Sequence, residues 1–148
     1  MSTSDPSLQP GLRFEARQIV TAAQTVPQVE PEWDGFKDMP PVFATAMMVG
    51  FIEQTCVLAV HPLLPGGQGT VGTHVDVSHV AATPVGMAVT ASIELVEVDA
   101  RSLLFKVQCH DEAGLIGEGM HRRAIINVGK FLARVGEKAG KQSGDPAV

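Results

Sequence analysis

A threonine, a glutamate and a histidine that each stand among apolar residues could carry acid–base or nucleophilic chemistry in this sequence. Glu53 is the only acidic residue between Pro40 and Leu64. A buried carboxylate is costly unless it is paired, and burial would raise its pKa, which suits a base or a nucleophile. The alternative is that Glu53 lies on an exposed stripe of a helix.

His79 belongs to a stretch in which polar and apolar residues alternate. Position by position, residues 73–80 read Thr, His, Val, Asp, Val, Ser, His and Val. This period of two predicts a half-buried strand in which His79 shares a face with Val75 and Val77. An inward imidazole can act as a base or a donor near neutral pH, although it could also be a hydrogen-bonded core histidine.

Thr45 has a hydroxyl that could orient a carboxylate, donate to an oxyanion or attack an acyl carbon. Capping the N-terminus of a helix is the structural alternative. Thr45 and Glu53 are eight residues apart, which on one regular helix means about 12 Å along the axis. We therefore expect either that Thr45 precedes the helix on a chain that folds back, with Gly50 marking a late helix start, or that the groups meet across a dimer interface.

The elements that must position these groups follow from periodicity and turn residues. We predict a first strand at residues 12–20, a proline-rich loop at 27–41 that lies on an apolar surface, a helix at 42–60, strands at 73–80, 89–95, 103–109 and 115–128, and a short helix at 131–138. Turns at residues 99–101 and 111–114 make neighbouring strands antiparallel. This is an α+β architecture, an antiparallel sheet curled around one long apolar helix.

The helix at residues 42–60 is nearly long enough to span a membrane. Glu53 and Gln54 near its centre argue against that, because a carboxylate at mid-bilayer costs a few kcal/mol or more. We expect protein to cover the helix on all faces, with the sheet supplying most of the cover and a second subunit the rest.

Other motifs are weaker. Residues 67–72 match G-x-G-x-x-G, but a helix precedes them and a strand follows, so we expect a flexible loop and not a dinucleotide site. Gly72 could bring its amide close to a substrate oxygen. One of Arg122 and Arg123 could face inward toward a phosphate, a carboxylate or a thioester oxygen. His74 and His79 should lie on opposite faces, so we predict no metal site.

The composition and the ends of the chain limit the molecules that this protein could bind and the compartment in which it could act. The net charge of −5 argues against a nucleic-acid-binding surface, but it leaves open a local basic patch for one phosphorylated cofactor. Cys56 and Cys109 should be buried free thiols. The first residues show no signal peptide, so we expect a cytoplasmic protein. The expected organisation is a flexible lead (1–10), one domain (11–139) and a flexible tail (140–148).

Taken together, these residues resemble the fluoroacetyl-CoA thioesterase family of hot-dog fold proteins. The matching stretches are 42–45 (VFAT), 48–50 (MVG) followed by Glu53 and Cys56, Gly72 with Thr73, 79–84 (HVAATP) and 121–124 (HRRA). The likeness covers roughly residues 10–135 in one order.

The resemblance implies a homodimeric acyl-CoA thioesterase in which Thr45, Glu53 and His79 are catalytic. It implies that Gly72 and Arg123 contact the substrate and that coenzyme A enters only as part of that substrate, with no separate cofactor. The family's fluoroacetyl-selective member has a phenylalanine where Met39 stands in the lid, while Phe36 keeps an aromatic three residues earlier. The implied substrate is thus a short-chain acyl-CoA. A non-catalytic acyl-ligand-binding protein and an enoyl-CoA hydratase are the alternatives, and the latter would need an acid near His79, from which Asp76 should face away.

Overall fold

A computed structural model describes residues 7–143 of the chain. The strands are β1 (Arg13–Ile19), β2 (Gln68–Val77), β3 (Ala88–Asp99), β4 (Ser102–Asp111) and β5 (Leu115–Asn127), and the helices are α1 (Val26–Val29), α2 (Asp34–Lys37), α3 (Thr45–Val60) and α4 (Val128–Ser143). Short 3-10 turns at Ala22–Gln24 and His61–Leu63 complete the described elements.

The five strands form one antiparallel sheet in the order β1-β3-β4-β5-β2. Tight turns join β3 to β4 and β4 to β5 at the two places where the sequence predicts them. Strand β2 follows α3 and lies at the edge of the sheet, beside the last strand. The predicted α+β architecture is confirmed.

Helix α3 packs across this sheet, and the buried core lies between them. From the helix, residues such as Met48, Ile52 and Cys56 enter the core. They meet the alternate residues of β3 and β4, which are Val89, Ala91, Ile93, Leu95, Leu103, Phe105, Val107 and Cys109. These alternate positions share one face of the sheet because successive side chains of a strand point to opposite faces.

The expectation that protein covers α3 on all faces is only partly met within one chain. Ala46, Gly50, Gln54 and Leu58 form an exposed stripe at helical spacing, and Leu58 is 46% exposed. The segment Thr45–Leu63 is long and apolar enough to cross a membrane by length and composition alone, a property that core helices share. The stripe is the surface that a second subunit would have to cover.

Three local predictions are wrong. The proline-rich segment, predicted to be a loop, contains the single-turn helices α1 and α2. Helix α1 can include Pro27 because this residue lies in the first turn, where proline is tolerated. The predicted flexible loop at 67–72 is mostly strand, since β2 begins at Gln68 and pairs with β5. Helix α4 continues to Ser143, so the first residues of the predicted tail are helical.

The predicted flexible lead is only partly within the described residues. Leu8 packs against the core, so this part of the lead is anchored. Residues 1–6 and 144–148 lie outside the described residues.

Candidate active site

A hydroxyl–imidazole pair lies at the N-terminus of α3. Thr45 is the first residue of this helix, and its Oγ1 is 2.7 Å from Nδ1 of His79. The segment that follows β2 is held beside the helix start because the Phe43 amide donates to the Thr83 carbonyl. Thr83 in turn donates its hydroxyl to Asp111 at the end of β4. The pair therefore depends on contacts between segments that are far apart in sequence.

The capping alternative for Thr45 is excluded by this geometry. Ala44 occupies the N-cap position, with no side-chain cap, and the Thr45 hydroxyl bonds to His79. The second ring nitrogen of His79, Nε2, is buried and has no hydrogen-bond partner among residues 7–143. Burial lowers the pKa of His79 below its ordinary value, so the ring is neutral at pH 7 and able to accept a proton.

A second cluster surrounds Glu53, two turns further along α3. Its Oε1 is 3.2 Å from Nη1 of Arg123 and 3.8 Å from Nε2 of His121. Arg123 is buried and also donates from Nε to Oγ1 of Thr70 and from Nη2 to the Thr70 carbonyl. The Glu53 side chain is 37% exposed, so the carboxylate is anchored on one side and open on the other.

The hydrogen bonds of His121 define its tautomer. Nδ1 lies 2.8 Å from the carbonyl oxygen of His74, so Nδ1 carries the proton and donates. Nε2 is then free to accept the N–H of Arg123, 3.1 Å away. Burial lowers the pKa of His121, which keeps the ring neutral beside the guanidinium. His121 thereby orients Arg123, and through it Glu53.

Gly72 lies directly against this cluster. A Cβ atom at position 72 would come 2.5 Å from Oε1 of Glu53, 3.2 Å from His121 and 3.3 Å from Arg123. Gly72 faces inward, like Val75, because the pairing of β2 with β5 shifts by a bulge between Gly72 and His74. The structure therefore gives glycine the role of leaving space for the carboxylate.

One chain holds two half-sites and not a compact trio. Thr45 and Glu53 lie on the same continuous helix, about 12 Å apart along its axis. The expectations that Thr45 precedes the helix and that Gly50 marks a late start are both wrong. The other expectation, that the groups meet across a dimer interface, is the one compatible with this geometry.

The structure also locates the remaining candidates. Phe36 packs edge-on against Trp33, and Met39, which is 49% exposed, donates its amide to the Phe36 carbonyl. Both residues lie in the segment before α3, and these contacts stay within that segment. Asp76 pairs with Met120 on the outward face, away from the side of the sheet that carries Val75 and Val77.

Outward-facing Arg122 donates to Ser102, whereas Arg123 faces the helix. Cys56 and Cys109 are free and buried, as predicted. In the part of the chain that the structure describes, no three His, Cys, Asp or Glu residues are close enough to hold a metal ion.

An antiparallel five-stranded sheet packed on one long helix is the hot-dog fold, which is the class that this protein shares with thioesterase-superfamily proteins. A thioesterase superfamily member from Thermus thermophilus has this fold at 23% identity and a TM-score of 0.83, covering 93% of this chain and 98% of that one. The chain belongs to the family of fluoroacetyl-CoA-specific thioesterases, which it matches over residues 20–129.

Relatives within that family are close. The fluoroacetyl-CoA thioesterase of Streptantibioticus cattleyicolor is 44% identical over 128 residues, which are 86% of this chain and 92% of that protein. A solved structure of a fluoroacetyl-CoA thioesterase superimposes with a TM-score of 0.87 at 42% identity, covering 90% of this chain and 98% of that one. A variant solved with acetyl-CoA gives 0.87 and 42%, covering 88% and 98%. The chain is thus a thioester hydrolase, and the non-catalytic and hydratase alternatives are not favoured.

Proposed function

We propose that the protein hydrolyses a short-chain acyl-CoA to the free acid and coenzyme A. The observation that carries this proposal is the 2.7 Å contact between Thr45 and His79 at the N-terminus of α3. It joins a hydroxyl to a neutral base at a helix end that can bind a developing anion. The relative solved with acetyl-CoA supports the choice of a small acyl group.

His79 acts as the base in this proposal. Its unprotonated Nδ1 takes a proton from the Thr45 hydroxyl, or from a water molecule that the hydroxyl holds, as the oxygen attacks the thioester carbonyl. The carbon–sulfur bond then breaks, and the proton passes to the leaving thiolate. Water supplies the oxygen of the free acid, directly or by hydrolysis of an acyl-threonine.

The first turn of α3 stabilises the oxyanion. The first backbone N–H groups of a helix have no partner within the helix, and they carry partial positive charge. Thr45 is the first residue of α3, so a carbonyl carbon within reach of its hydroxyl has its oxygen near these donors. Stabilisation of this kind is worth about 3–4 kcal/mol per donor in acyl transfer.

A homodimer completes the site. We propose that Glu53 of the partner subunit lies beside the Thr45–His79 pair, which gives a carboxylate–imidazole–hydroxyl triad across the interface. The Glu53 carboxylate is open on one side, and Thr45 at the start of α3 is exposed. Strand β2 is the sheet edge beside both half-sites, and the exposed stripe of α3 needs cover.

In this dimer the β2 strands of the two subunits pair antiparallel. If Gly72 of one subunit lies opposite His79 of the partner subunit, the two-fold axis passes between Val75 and Asp76, which are midway along the chain from Gly72 to His79. Arg123 is buried against Glu53, His121 and Thr70, which supports a role in holding the carboxylate. Phe36 and Met39, in the segment before α3, would cover the acyl group.

The activity is tested by following thiol release from acetyl-, fluoroacetyl-, propionyl-, crotonyl- and longer acyl-CoA substrates. We expect release from the short saturated substrates and its loss in Thr45→Ala, Glu53→Gln and His79→Ala. Tight binding of acyl-CoA without thiol release would support the non-catalytic alternative. Loss of the crotonyl double bond without thiol release would support a hydratase.

Mixing two inactive variants tests whether the triad spans the dimer. When the Glu53→Gln and His79→Ala chains are refolded together at equal concentration, half of the dimers contain one chain of each kind. Each mixed dimer then has one intact site, provided that the triad is shared between subunits. Recovery of about one quarter of wild-type activity is expected for a two-fold symmetric dimer. If mixed dimers form but no activity returns, Glu53 and His79 do not share a site across the interface and have separate functions within one chain.

A further inference from the structure

A basic cavity lies at the far end of β2 and β5 from the Thr45–His79 pair. Its volume is about 320 Å³, and it is formed where β5 passes into α4. Three cationic side chains line it, those of Arg101, Lys130 and Arg134, together with Phe131 and Asn127. We call this the basic cavity.

Two separate elements, the turn between β3 and β4 and the helix α4, bring the three cations together. Arg101 lies in the turn between β3 and β4, and its carbonyl accepts the amide of Ile125 from β5. Lys130 and Arg134 are four residues apart on α4, so they lie on the same face of that helix. Asn127 accepts the Lys130 amide at 3.0 Å and thereby caps the start of α4. The arrangement thus comes from the fold and not from a run of basic sequence.

The charge of the cavity opposes that of the whole chain. The protein carries a net charge of −5, yet no acidic side chain lines the cavity. Within the described residues, none of the three cations lies within ion-pair distance of a carboxylate. Positive groups that converge without a counter-charge form a site for an anion with several oxygens, such as a phosphate.

A row of inward-facing residues connects the basic cavity to the Glu53 cluster. The successive inward pairs of β2 and β5 are Gly72 with Arg123, Thr70 with Ile125 and Gln68 with Asn127. Four residues along β5 separate Arg123 from Asn127, a distance of about 13 Å at 3.3 Å per residue. The pantetheine arm of coenzyme A has as many bonds between sulfur and phosphate as four to five residues of extended chain, about 15 Å.

We propose that Arg101, Lys130 and Arg134 bind the phosphate groups of coenzyme A, with the pantetheine arm along the row from Gly72 to Gln68. Phe131 offers an aromatic surface for the adenine ring. In this arrangement the coenzyme A part of the bound substrate extends from the reaction centre over the subunit that supplies Glu53. This proposal rests on the proposed acyl-CoA thioesterase function and assigns the part of the substrate that does not react.

The test compares two substrates that differ only in the nucleotide. Arg101→Gln, Lys130→Gln, Arg134→Gln and the triple variant are assayed with acetyl-CoA and with acetyl-pantetheine, which lacks the phosphates. We expect KM for acetyl-CoA to rise about fivefold for each single variant, as for a solvent-exposed charged contact, and about 100-fold for the triple variant. KM for acetyl-pantetheine and kcat for both substrates should not change.

A matched control removes three exposed cations that do not line the basic cavity. Arg13 and Arg17 on β1 and Lys106 on β4 are each replaced by Gln. The net charge changes equally, so a similar rise of KM in this control would overturn the proposal. An equal loss with both substrates would also overturn it, because that result reports a structural defect.

Calorimetry with coenzyme A alone separates this proposal from the proposed function. If the protein hydrolyses no thioester but binds coenzyme A, and the triple variant weakens binding about 100-fold relative to the control, the phosphate site stands and the enzymatic proposal fails. If thioesters are hydrolysed and the triple variant binds coenzyme A as the wild type does, the phosphate site fails alone.

Discussion

The substitution Gly72→Ala tests the arrangement around Glu53 without removing any polar group. The added methyl carbon would lie 2.5 Å from Oε1 of Glu53. Unbonded carbon and oxygen atoms approach to about 3.3–3.6 Å. The carboxylate must therefore move by about 0.8–1.1 Å, which lengthens its 3.2 Å contact with Arg123.

The magnitude follows from what such a displacement costs in catalysis. A misplacement of about 1 Å lowers the rate by about 100-fold, equivalent to about 2.7 kcal/mol of transition-state stabilisation. Stability should change little. Gly72 is not among the glycines with positive φ, so alanine is allowed there, and it restricts the unfolded chain by about 0.4–1 kcal/mol in favour of folding.

The assay is kcat/KM for acetyl-CoA, with urea unfolding measured on the same preparations. Gly69→Ala is the matched control, because it lies in the same strand and its Cβ meets only Val128 at 3.5 Å, an ordinary contact. We expect an approximately 100-fold loss for Gly72→Ala and near-wild-type activity for Gly69→Ala. Activity of Gly72→Ala within twofold of the control would refute the view that the Glu53 position matters for the reaction.

Thr45→Ser should keep most of the activity and Thr45→Ala should lose about 100-fold, since only serine retains the hydroxyl that bonds to His79; equal kcat values for the two variants would contradict this. Burial lowers the folded-state pKa of His79 and of His121 below the ordinary 6.5, so the unfolded chain binds more protons as the pH falls through that value. The free energy of unfolding should therefore decrease below about pH 6.5, and His121→Gln should weaken this dependence in urea titrations at pH 7.5 and 5; stability that rises on acidification would oppose it. Burial raises the pKa of Cys56 and Cys109 to about 12, so a thiol reagent at pH 8 should label them only as fast as the protein unfolds, and rapid labelling of the native protein would show that they are accessible.

Much of the fold could be predicted from the sequence because its patterns are local. Alternation along β3 and β4 identifies the strands and the buried face, and the turn residues identify both hairpins. The lone carboxylate in an apolar helix points to Glu53, since a charge there needs a specific partner. The period of two along β5 also places His121 and Arg123 on one face, and this is the signal in the sequence that points to the cluster around Glu53.

Where local signals conflict, the sequence predictions failed. The prolines of the segment before α3 argue against helix, yet proline in the first turn of α1 costs nothing because no N–H is needed there. The glycines at 67–72 suggest a loop, but pairing with β5 makes most of them strand. In each case a tertiary contact or a position within an element outweighs the average preference of the residue.

For Thr45, Glu53 and His79, the spacing along the chain follows from the sequence and the contacts follow from the fold. The sequence alone shows that Thr45 and Glu53 are too far apart on one helix to pair, because a separation of eight residues sets the distance between them. Their partners depend on tertiary contacts, since the segment after β2 brings His79 to Thr45 and β5 brings Arg123 and His121 to Glu53. The bulge between Gly72 and His74 turns Gly72 inward against the alternation. Such contacts join residues from separate strands and helices, and no local periodicity encodes them.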